Sequence, residues 1–141
     1  MRIFKVILFS IFCGWGNYAF SDQAQVICNY LGNNHNSIEV LRTGCKYPIT
    51  AMLQRSGGRD LVPLWEEGIN KALKANSFIQ REKEKLCNKS GKRNIAMLKK
   101  YVKFQTGTIN DLLNHMDIFR EATNKARDCS KFKKGIRTRS F

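Results

Sequence analysis

Long apolar runs are scarce in this chain: after residues 6–13 there is none, and that run is too short to cross a bilayer, which argues against a membrane-embedded protein. There is no Cys-x-x-Cys pair and no His-x-x-x-His, so the spacing of a structural zinc site is missing and neither a metal nor another cofactor is expected. A Gly-x-Ser-x-Gly nucleophile elbow and a Walker phosphate loop are absent as well. Histidines number two, His35 and His115, which leaves acid–base chemistry few carriers. Acidic residues are few too: 11 Asp+Glu stand against 25 Lys+Arg.

What is present begins with the first 21 residues. Arg2 and Lys5 precede the apolar run Val6–Cys13, and Ala19-Phe20-Ser21 places small residues where a signal peptidase reads. The pattern predicts an exported protein, periplasmic or secreted, whose mature form starts at Asp22. Cys13 follows Phe12, and a lipidation site needs a small residue there, so removal with the leader is the expected fate. Cys28, Cys45, Cys87 and Cys129 then form an even set in an oxidising compartment, read as two disulfides. Three pairings are open. Cys28–Cys45 with Cys87–Cys129 closes the shortest loops and is the expectation.

Charge is divided unevenly. Residues 22–70 carry four basic side chains (Arg42, Lys46, Arg55, Arg59) and five acidic ones, whereas residues 71–141 carry nineteen and six. A field of that sign suits an anionic surface or an acidic protein, with nucleic acid as a further candidate. The plain alternative is a basic, solvated surface.

Local signals predict an all-α domain of four to six helices over residues 22–129. A short helix from residue 24 is expected to meet an Asn-rich turn at Asn33, Asn34 and Asn36, with Ser37–Val40 as helix or brief strand. Pro48 restarts the chain into a short helix, and Ser56-Gly57-Gly58-Arg59-Asp60 reads as a turn. A helix near Pro63 carries Leu61, Leu64, Trp65, Ile69, Ala72 and Leu73 at helical spacing, with Trp65 as core anchor. Ser77-Phe78-Ile79-Gln80 matches a capping box and predicts a new helix running to Cys87. Another runs from Arg93 to Gln105, Gly107 stops it, and Thr108-x-x-Asp111 opens the last. Residues 130–141 hold five basic side chains and no acid, and read as a disordered basic tail.

On a helical wheel, Ile95, Met97, Leu98, Tyr101, Val102 and Phe104 share one half, with Asn94 as the polar exception. Lys92, Arg93, Lys99, Lys100 and Lys103 share the other. The apolar half, with Tyr101 and Phe104, is expected to pack inward rather than stack bases, and the basic half to meet the partner. With Lys131, Lys133 and Lys134 of the tail, these lysines and Arg93 form the candidate binding set.

No catalytic set is assigned. His35, His115 and a lysine such as Lys46 could serve a metal-free ribonuclease, but their spacing shows no convergence. Glu66 and Glu67 diverge by about 100° on a helix and cannot flank one bond. The expected function is therefore a non-enzymatic exported binding or accessory protein, with a small hydrolase or a membrane-active protein as alternatives.

Overall fold

The computed structural model describes residues 23–88 and 94–141. The predicted leader, Lys92 and Arg93 lie outside them. Within them the chain is helical and no strand is present.

The first helix, α1, covers residues 23–39. Ala24, Ile27, Cys28, Leu31 and Ile38 recur at helical spacing, and all are buried. That stripe continues straight through the asparagines, so the expected turn is absent. Asn34 points inward, and the Ser37 hydroxyl donates to the Asn33 carbonyl four residues back. After Leu41 the backbone widens into a π-helical turn, Arg42–Lys46, then α2, Tyr47–Arg55, starts with Pro48 in its first turn. Gly57, at φ 82°, makes the turn out of α2, as the Gly-Gly pair predicts. A 3₁₀ turn, Arg59–Leu61, leads into α3.

Helices α3, Val62–Cys87, and α4, Ile95–Ile118, are the two long members, and each replaces two predicted helices. Ser77 does not cap: its hydroxyl bonds the Leu73 carbonyl within a continuous helix. Thr108 does the same to Phe104, and Gly107 has no positive φ, so nothing halts α4 there. The start of α4 is fixed by Asn94, whose side chain accepts from the Met97 amide at 3.1 Å. Contacts Glu82–Tyr101, Phe78–Phe104 and Trp65–His115 run in opposite chain orders, so α3 and α4 lie antiparallel.

The segment read as a disordered tail is ordered. After α5, Arg120–Lys125, helix α6 spans Arg127–Gly135. Cys129, Phe132 and Ile136 are buried at helical spacing, and Phe141 packs edge-on against Tyr30 at 5.2 Å. Three apolar anchors and a disulfide offset the ordering cost that charge alone could not.

The predicted pairing is also corrected. Cys28 joins Cys87 and Cys45 joins Cys129, with Cα separations of 6.2 and 4.7 Å. Because α1 is unbroken and Cys45 lies beyond its end in the π-helical turn, 17 residues after Cys28, the two cysteines face different neighbours. Each bridge ties one of two cores. Ile27, Leu31, Ile79, Leu98 and Val102 surround the first, whereas Trp65, Ile69, Ile109, Leu112 and Met116 belong with the second. A polar layer lies between them: Asn34 donates to Gln105, Gln105 donates to the Leu31 carbonyl, and buried Asn76 donates to the His35 carbonyl and to Glu39.

Candidate binding face

The α3–α4 pair buries Trp65 completely, in line with its reading as core anchor, and Gly68 lets the helices close. A Cβ at Gly68 would collide with the His115 ring, which lies stacked on Trp65 and places Nε2 2.9 Å from the Trp65 carbonyl. Further along, small side chains at Ala75 and Gly107 leave an open groove of about 710 Å³ between the helices.

At its end, aromatic rings reach the surface. Leu98 and Val102 are buried as the wheel predicts, but Phe104 is 49% exposed, which corrects its placement in the core. A 24-residue helix packed in a small bundle covers only a narrow stripe, and Phe104 lies at its edge. There it meets Phe78, 40% exposed, with ring centroids 6.0 Å apart at 63°. Tyr101, half-buried, completes the cluster at 6.4 Å from Phe78. Its hydroxyl donates to Glu82 at 3.4 Å, and desolvation together with that carboxylate raises the phenol above its ordinary range.

Cations frame these rings. Lys71 and Lys103 border the groove, Arg81 lies beside Phe78, and Lys74 and Lys100 sit one turn before Phe78 and Phe104. None of the five forms an ion pair among the described residues. The acids are fewer. Glu82 is bound to Lys85 at 3.1 Å, Glu84 lies beside Phe78 and Arg81 and accepts from Gln80 at 3.0 Å, and Glu67 and Asp111 are exposed.

The predicted basic set thus divides. Lys100 and Lys103 belong to this face, and Lys99 beside them is half-buried. Lys133 instead bonds Asp117 at 3.2 Å with only 18% of its side chain exposed. Asp117 is 14 residues beyond Lys103 on α4, about 21 Å along the axis, so the α6 cations form a separate group. Lys131 and Lys134 remain exposed there.

The two histidines are not brought together. The His35 backbone is tied to Asn76 and the His115 ring to Trp65, contacts that lie 11 residues, about 16 Å, apart along α3. No group of three potential metal ligands exists among the described residues.

Sequence reasoning missed Phe78, Lys71 and the groove itself. Lys71, Ala75, Phe78 and Glu82 repeat at the i, i+4, i+7, i+11 spacing of a second stripe on α3. Comparison with protein-family models, curated proteins and solved structures returns no match.

Proposed function

We propose that the protein is an exported, non-enzymatic binding protein that seats an acidic protein segment on the α3–α4 face. The observation that carries this reading is the exposed Phe78–Phe104 pair set among five cations without acidic partners. Exposed aromatics are enriched at interface centres, where apolar burial supplies affinity, and charges around them at the rim supply selection. An amphipathic segment with an apolar ridge over the rings and carboxylates towards Lys71, Lys100 and Lys103 would satisfy both.

One feature favours an acidic protein over nucleic acid. Phe78 packs edge-on against both Tyr101 and Phe104, so the rings are engaged with one another rather than laid out as a stacking platform. The two disulfides support export to an oxidising compartment.

The test uses immobilised, oxidised protein and an extract of the source's own envelope or medium. An acidic protein should be retained at low salt and released as salt rises towards about 1 M, where the screening length falls to about 3 Å. Phe104→Ser and the pair Lys100→Glu, Lys103→Glu should each abolish retention. Capture that ignores both salt and these substitutions, or capture of RNA alone, would refute the reading.

A further inference from the structure

At the opposite end of α4 lies a second groove, of about 600 Å³, between α2 and the α4–α5 junction. We infer that it is a binding site for a single-chain anionic amphiphile, of which a long-chain carboxylate is the simplest example.

The groove's floor is apolar and fixed. Leu53 and Phe119 lie there, each less than a tenth exposed. The Phe119 ring is held from behind, edge-on to Trp65 at 5.2 Å and tilted against His115 at 5.3 Å. The walls are apolar but uncovered: Leu61 is 46% exposed and Ile118 is 69% exposed, the most exposed large hydrophobic among the described residues. Aliphatic side chains held open beside an apolar floor are poorly placed in water and well placed against an alkyl chain.

The rim decides the headgroup. Arg55 closes α2, Arg120 opens α5 and Lys125 closes it, and all three border the groove. None forms an ion pair among the described residues, and Glu121 is the one acid on the lining. The excess of two positive charges suits one carboxylate better than a polyanion. The volume falls within the range of small-molecule sites and is small for a docked protein helix. Ile118 is 14 residues from Phe104, about 21 Å along α4, so this site is separate from the Phe78–Phe104 cluster.

Calorimetric titration of the folded, disulfide-bonded protein with octanoate, decanoate and dodecanoate, each below its micelle concentration, tests the assignment. Affinity should rise about four-fold per methylene, the increment of full burial. Dodecanol should bind at least about ten-fold more weakly than dodecanoate, for want of the charged contacts. Ile118→Gln, at an exposed position that folding does not depend on, should weaken dodecanoate binding by about ten-fold, and Arg55→Gln with Arg120→Gln by a similar factor. Phe104→Ser should leave it unchanged, so failure of the α3–α4 reading and failure of this one are distinguishable. The assignment is overturned if dodecanoate does not bind, if dodecanol binds equally well, if these variants bind as the parent does, or if the protein takes up anionic vesicles but no monomeric amphiphile.

Discussion

Replacing Cys28 and Cys87 together by alanine removes the bridge between the first half of α1 and the last turn of α3. The bridge spans 59 residues, and closing a loop of that length in the unfolded chain corresponds to about 4 kcal/mol on the chain-entropy model. The second bridge, Cys45–Cys129, overlaps this loop and still restrains residues 45–87, so the loss should be smaller, about 2–3 kcal/mol. The removed sulfurs also leave the cluster of Ile27, Leu31, Ile79 and Leu98, which should lose packing at that end while the Trp65 core persists. Thermal unfolding without reductant should show a midpoint lowered by about 10 °C. Tryptic digestion of the oxidised parent supplies the independent check: residues 86–89 should be joined to the peptide carrying Cys28, and residues 43–46 to residues 128–131. An unchanged midpoint, or residues 43–46 joined to the Cys28 peptide, would refute the two-core architecture.

Gly68→Ala should destabilise the fold by about 1–3 kcal/mol, because the new methyl group meets the His115 ring; denaturant titration reads it, and adding His115→Ala should recover part of the loss. Gln105→Leu strips the Leu31 carbonyl and the Asn34 amide of their partner inside the bundle, at about 1–3 kcal/mol for each stranded group, and amide exchange around Leu31 should quicken. Truncation after Ser130 removes Phe132 and Ile136 from the core, a loss of about 3–6 kcal/mol, so the midpoint should fall sharply or the domain fail to fold; an unchanged midpoint would restore the disordered tail.

The helical class, the Gly57 turn, the Pro48 restart and the role of Trp65 were legible because each depends on neighbours within one or two turns. The misplaced boundaries share a cause. Ser77 and Thr108 present the same hydroxyl whether they cap a helix or bond a carbonyl four residues back, and only the surrounding packing decides. The α6 helix was hidden by its lysines, although Cys129, Phe132 and Ile136 already stood at helical spacing. Disulfide pairing is tertiary: once Asn34 turns inward and α1 stays whole, Cys28 and Cys45 cannot meet. The lysines of the binding face were readable from α4 alone, but the face itself was not, because Phe78 and Lys71 arrive from α3 by antiparallel register.

The most direct test of the binding face is photo-crosslinking in the source cells, with a photoreactive phenylalanine at position 104 or 78 and, as control, at Val40, which is 60% exposed in the turn just after α1. Positions 104 and 78 should yield one adduct with an acidic protein, lost when Lys100 and Lys103 are both changed to glutamate, and position 40 should not. Equal adducts from all three positions, or none from 104 and 78, would contradict the account.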